Sequence, residues 1–120
     1  MPPHIVLLVA DDWGFELFPR RDTAGDVHKN LLPRIREAFV DDGLVLDRHY
    51  AHSTCAPSRA SLLSGRWPHR AYDFSPEYEK YWGCRGVSPA MALLSERLQA
   101  QAYRTHFVGK WHLVHSTHCS

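Results

Sequence analysis

The chain has 120 residues, of which 44% are apolar and 22% charged, and its formal net charge is +1. This length holds one domain at most, and the composition is that of a globular protein. A nearly neutral charge gives no indication of a nucleic-acid or membrane-surface partner. The apolar run over residues 5–10 is too short for a membrane span and lacks the basic residues that begin a signal peptide.

The first predicted elements are a strand, a helix and a second strand. Residues 4–10 form a short apolar run rich in β-branched residues, which is typical of a strand buried on both faces of a parallel sheet. Asn30 could cap a helix over residues 31–42 that Gly43 ends. Residues 44–51 then read as the second strand, so the first half of the chain predicts a strand-helix-strand unit.

Two more helices and a third strand are predicted in the second half. Pro57 opens a short helix that Gly65 closes, and Ser88 with Pro89 starts the next helix. The apolar face of that later helix is formed by Met91, Leu94 and Leu98. Residues 105–108 complete the pattern as a strand. Strands that alternate with helices predict an α/β fold with a mostly parallel sheet flanked by helices.

Polar side chains follow each predicted strand. Asp11 and Asp12 come directly after the first, Cys55 follows the second, and Lys110 and His112 follow the third. Ligands of open α/β sheets bind beyond the carboxyl ends of the strands, so these groups are predicted to gather at one edge. The aspartate pair suits calcium or magnesium, with a solvated turn as the alternative.

Cys55 stands at the predicted start of a helix, a position where anions bind to main-chain N–H groups. Arg59 follows one turn later and would lie on the same face if both residues belong to that helix. A buried structural cysteine is the alternative for Cys55, and a surface pair is the alternative for Lys110 and His112. Taken together, the pattern predicts an anion site beside a divalent cation.

Three stretches resemble the sulfatase family. STCAPSRASLLSG resembles its first signature, whose core is Cys-x-Pro-Ser-Arg, and AYRTHFVGKWHL resembles its second. VADDWG is similar to the family's N-terminal strand and aspartate pair. The resemblance implies a partial, truncated alkaline-phosphatase-like sandwich of the arylsulfatase type. Residues 1–113 would be the N-terminal part of the catalytic domain, and residues 114–120 an atypical tail.

The resemblance also implies an unusual nucleophile. A formylglycine-generating enzyme that recognises Cys-x-Pro-x-Arg would oxidise Cys55 to formylglycine, whose aldehyde is hydrated to a diol. One hydroxyl would attack the sulfur of a sulfate ester, and the second would lose its proton so that sulfate is expelled. A serine in the same place would be left as a stable sulfate ester. Sulfated glycans are among the substrates that the resemblance leaves open.

Further roles follow from the resemblance, residue by residue. Asp11 and Asp12 would bind Ca²⁺, which would also contact the converted Cys55. Arg59 would hydrogen-bond the diol. The remaining two roles concern the substrate: Lys110 would pair with a sulfate oxygen, and His112 would contact the diol or the sulfate and help to move a proton.

The chain also departs from the family pattern. Ala102 stands where glycine is usual, which predicts the loss of a left-handed helix cap. Family members run to several hundred residues and carry further metal ligands downstream, so the 120-residue chain is predicted to be inactive alone. The resemblance implies a lysosomal or secreted protein, although no signal peptide is recognisable in this chain.

Three alternatives remain open. One is a phosphonate or phosphate ester hydrolase of the same superfamily. Another is a zinc-binding module, whose two candidate sets are His49, His52 and Cys55, and His112, His115, His118 and Cys119. The last is a non-catalytic fragment that acts through the aromatic loop over residues 67–82, with Cys84 pairing outside the chain.

Overall fold

The computed structural model describes residues 2–18, 32–71, 86–88 and 90–113. The chain divides into two compact units, an N-terminal unit over Met1–Tyr50 and a C-terminal unit over Ala51–Ser120. Within the described ranges, no helix has both the length and the apolar character needed to cross a membrane. Each unit is built from short helices and non-helical chain.

The N-terminal unit contains the predicted helix in a shorter form. After a 3-10 turn at Phe15–Leu17, helix α1 covers Pro33–Ile35 and continues as a π-helix over Arg36–Asp41. Pro33 lies in the first turn, where its missing N–H leaves no helical hydrogen bond unmade. The prediction of a helix ending near Gly43 is confirmed.

Gly43 is needed here because the chain folds back closely over the end of this helix. A Cβ atom added to Gly43 would overlap the main-chain carbonyl oxygen of Phe39. The only described residue of the N-terminal unit that is fully shielded is Val40, which is 0% exposed.

The C-terminal unit begins with the helix that carries the first signature. Helix α2 covers Cys55–Ser64 and is followed by α3 at Pro68–Ala71 and α4 at Leu94–Gln99. The prediction that Gly65 closes α2 is confirmed, since Gly65 adopts φ 67° and its N–H donates to Ser61 O at 2.8 Å. The helix starts two residues before Pro57, which therefore lies inside its first turn.

Helix α4 starts later than predicted. Ser88 caps a separate turn, in which its Oγ accepts from Ala90 N–H at 3.3 Å and its carbonyl oxygen accepts from Met91 N–H at 2.9 Å. Leu93 is extended and 6% exposed, because its side chain packs into the core just before the helix begins. The buried face therefore includes Leu93, whereas Leu94, which was predicted to be buried, is 37% exposed.

The end of α4 corrects the expectation about Ala102. Ala102 adopts the left-handed φ of 63°, and its N–H donates to Gln99 O at 2.9 Å. Tyr103 N–H donates to Leu98 O at 3.1 Å, so the two bonds form a Schellman motif. The left-handed cap is therefore kept, although an alanine in this conformation costs about 1–2 kcal/mol more than a glycine would.

A small core holds the C-terminal unit together. Its buried members are Ala60, Ala71, Val87, Leu93 and Leu113, and Leu63, Met91 and Trp111 pack against them. Ala60 on α2 and Ala71 on α3 are 0% and 2% exposed. Their small side chains let the two short helices pack closely, which fixes α2 and the residues at its N-terminus.

None of the three predicted strands forms a ladder in the part of the chain that the structure describes. The segments 4–10, 44–51 and 105–108 are non-helical and leave large apolar side chains exposed, with Val6 at 80%, Leu44 at 86% and Val108 at 96%. A parallel strand needs neighbouring strands for its hydrogen bonds and further layers for its faces. The parallel sheet therefore stays a prediction.

Candidate active site

Cys55 is the first residue of helix α2 and carries a free, half-buried thiol. Thr54 precedes it in an extended conformation, with φ −125° and ψ 154°. The main chain therefore changes from extended to helical at Cys55. This abrupt change holds the Cys55 side chain at the N-terminal end of the helix.

Two side chains fix the segment that leads into α2. Ser58 Oγ lies 2.8 Å from Thr54 O and 2.9 Å from His52 O, so its hydroxyl can donate a hydrogen bond to either carbonyl oxygen. His52 Nδ1 accepts from Thr54 N–H at 3.3 Å and lies 3.2 Å from Thr54 Oγ1. These contacts tie residues 52–54 to the first turn and so restrain the backbone of Cys55.

Arg59 connects the first signature to the second. Both Cys55 and Arg59 belong to α2, so they lie one turn apart as predicted. Arg59 Nη1 donates to the main-chain carbonyl oxygen of Lys110 at 2.5 Å, across 51 residues of sequence. The structure therefore brings Arg59 and Lys110 together within the C-terminal unit.

The segment that carries Lys110 and His112 is a loop anchored by apolar residues. Trp111 meets Phe107 edge to face at 5.1 Å between ring centroids and also packs against the core. Leu113 is 3% exposed. Lys110 and His112 are exposed, so the side chains that could meet an anion alternate with the two that anchor the loop.

Asp11 and Asp12 lie in the N-terminal unit and are both exposed. Asp12 adopts φ 55°, a left-handed conformation that aspartate tolerates better than most residues. Their carboxylates are the type of donor that Ca²⁺ prefers, but two residues fall short of the about six to eight oxygen ligands it takes. The described residues contain no group of three His, Cys, Asp or Glu side chains placed to hold an ion. The convergence of the aspartates with Cys55 stays a prediction.

Sequence reasoning did not predict the contacts of His52 and Ser58. A serine four residues after a helix N-cap often bonds back to the carbonyl oxygen of the preceding turn, and this spacing was the available signal for Ser58. The spacing of His52 from Thr54 carries no comparable signal. His115, His118 and Cys119, which belong to one of the zinc alternatives, lie outside the described residues, as does Cys84.

A comparison with known protein families covers nearly the whole chain. The family model described as Sulfatase matches residues 3–119. The chain belongs to the sulfatase family. The predicted resemblance is thereby confirmed, and the family implies an alkaline-phosphatase-like α/β fold for this chain.

Individual relatives match almost the whole chain but only a small part of their own length. Arylsulfatase H of Homo sapiens is 34% identical over 122 residues, which cover 92% of this chain and 20% of that protein. N-acetylgalactosamine-6-sulfatase of Mus musculus is 34% identical, covering 95% and 22%, and steryl-sulfatase of Mus musculus is 31% identical, covering 93% and 18%. The chain thus spans about one fifth of the length of these curated relatives. No solved structure matches it significantly.

Proposed function

We propose that this chain provides the nucleophile-bearing part of a sulfuric ester hydrolase. The observation that carries the proposal is the hydrogen bond from Arg59 in the middle of α2 to the carbonyl oxygen of Lys110, which links the two sulfatase signatures. Cys55, in the same helix as Arg59, is then the residue whose conversion to formylglycine supplies the nucleophile. When formed, the hydrated aldehyde offers one hydroxyl for attack on sulfur and a second for release of sulfate.

The described side chains supply positive charge for an anionic substrate. The Arg59 guanidinium has five N–H donors, and the bond to Lys110 O uses one of its nitrogens. Lys110 and His112 are exposed on the anchored loop, where they can meet a sulfate ester from solvent. We assign Lys110 to a sulfate oxygen and His112 to contact with the nucleophile or the sulfate and to proton transfer.

Asp11 and Asp12 are the residues that would hold a divalent cation, with Ca²⁺ favoured by their oxygen donors. Bound there, the cation would offset negative charge on the sulfate oxygens. Because two carboxylates fill only part of a calcium coordination shell, we expect the 120 residues alone to give no measurable turnover of an aryl sulfate.

The proposed substrate class is a sulfate ester, and the names of the relatives motivate the candidates to be tested. They include an N-acetylgalactosamine-6-sulfatase and a steryl-sulfatase, so sulfated sugars and sulfated sterols are both reasonable probes. The proposed partner is a formylglycine-generating enzyme. A lysosomal or secreted location is the corresponding proposal for the chain.

A chimeric enzyme tests the proposed reaction. This chain would replace the matched segment of human arylsulfatase H, of which it covers 20%. We expect the folded chimera to hydrolyse an aryl sulfate and the matched Cys55→Ala chimera to lose that activity. Hydrolysis of an aryl phosphonate in preference to the sulfate would favour the phosphonate alternative. A folded chimera that hydrolyses neither ester would contradict the proposal.

A further inference from the structure

We propose that Arg59 is a positioning residue for the loop over residues 109–113, in addition to any contact with the nucleophile. Its guanidinium holds the Lys110 carbonyl oxygen and thereby sets the loop that presents Lys110 and His112. The inference deepens the proposed function and rests on it for its catalytic meaning. The positioning itself can be measured without turnover.

Two residues of this loop have positive φ angles. Gly109 adopts φ 109°, which glycine tolerates, and His112 adopts φ 55°, which is uncommon for residues other than glycine although histidine tolerates it better than most. Such a conformation persists only where the surrounding contacts determine it. The loop therefore needs anchors on both sides of the site residues.

Apolar packing anchors the later part of the loop. Leu113 is 3% exposed, and Trp111 packs between the core and Phe107. These two residues hold the backbone on either side of His112. Apolar packing of this kind makes no hydrogen bond to the carbonyl oxygen of Lys110. That oxygen is the atom that Arg59 of α2 contacts.

The Arg59 bond provides a polar anchor at that point. It comes from an ionised donor, a class of hydrogen bond that is stronger than a neutral one. Arginine suits the task because its planar, rigid guanidinium presents its N–H donors in a fixed geometry. The same side chain thus links the helix of Cys55 to the loop of Lys110 and His112.

Backbone ¹⁵N relaxation of the isotope-labelled, unmodified chain tests the inference. In Arg59→Met, which keeps an apolar stem but no donor, we expect the order parameters of Lys110 to His112 to fall from about 0.85 to below about 0.6. Those of α4 should not change. Arg59→Lys, which restores one donor, should recover most of the order in the loop.

Arg66→Met is the matched control, because Arg66 is an exposed arginine two residues after the end of α2. It should leave the loop as ordered as in the original chain. Unchanged order in Arg59→Met, an equal loss of order in α4, or no recovery in Arg59→Lys would each overturn the inference. If Arg59→Met does not fold, Arg59→Leu, which has no hydrogen-bond donor, replaces it.

The measurement separates this inference from the proposed function. It uses the thiol form of Cys55 and no substrate, so a protein that hydrolyses no sulfate ester can still show the predicted loss of order. Conversely, an active sulfatase whose loop stays ordered in Arg59→Met would overturn the positioning role alone.

Discussion

Helix α2 and the apolar segment over residues 4–10 were predicted equally clearly from sequence, yet only α2 has its predicted structure. The helix is specified locally, since Pro57 lies in its first turn and Gly65 provides a left-handed cap. A parallel strand instead needs hydrogen bonds from chain segments distant in sequence. In residues 4–10, Val6 and Leu8 are 80% and 72% exposed.

This difference extends to the site residues. Cys55 and Arg59 are placed by a helix that contains both, and Lys110 is held by the bond from Arg59. Asp11 and Asp12 follow the segment whose predicted pairing is not formed in the described structure. The surroundings of Cys55, Arg59 and Lys110 are therefore described within one unit, whereas the metal-binding role of Asp11 and Asp12 stays a prediction.

Truncation of a buried leucine and truncation of an exposed leucine should differ most in their effect on stability. Leu113→Ala removes a side chain that is 3% exposed in the core and should lower the free energy of unfolding by about 2–5 kcal/mol. The matched Leu8→Ala change, at a site 72% exposed, should lower it by less than about 0.5 kcal/mol. Urea denaturation of both variants measures the difference.

Equal losses in the two variants would contradict the comparison. A large loss in Leu8→Ala would mean that the segment over residues 4–10 is buried, as the predicted parallel strand requires. That result would support the predicted sheet.

The features that could be predicted are those that depend on residues close together in sequence. The end of α2 at Gly65 could be predicted because a left-handed glycine cap is a local signal. The start of α4 was misplaced because Ser88 caps its own turn and Leu93 stays extended to reach the core. The Arg59–Lys110 bond spans 51 residues, so no spacing rule predicts it.

The side-chain contacts at the start of α2 can be tested by a substitution that should change the free energy of unfolding by a smaller amount. Ser58→Ala removes the hydroxyl that reaches Thr54 O and His52 O, and we expect it to cost about 1 kcal/mol. Ser61→Ala is the matched control, because Ser61 Oγ is buried with no hydrogen-bond partner among the described residues. It should be neutral or slightly stabilising. Thermal unfolding shows which of the two variants is less stable, and a larger loss of stability in Ser61→Ala would contradict this prediction.

The smallest effect concerns the end of α4. Ala102→Gly should raise the free energy of unfolding by about 0.5–1 kcal/mol, because glycine adopts the left-handed φ of 63° without steric conflict. The gain is smaller than the strain of alanine because glycine loses more conformational entropy on folding. Ala100→Gly should have the opposite sign, since Ala100 has the right-handed φ of −62°. Thermal unfolding compares the two, and a destabilised Ala102→Gly variant would show that position 102 is not left-handed.

Cys55 is the proposed precursor of the nucleophile, and the mass of the peptide that contains it shows whether it is converted. The chain would be produced through the secretory pathway of a eukaryotic host, with Cys55→Ser as the unconvertible control. We expect a peptide whose mass corresponds to an aldehyde in place of the CH₂–SH group and which reacts with a hydrazide. A peptide that retains an unmodified thiol would show that Cys55 is not the precursor of the nucleophile.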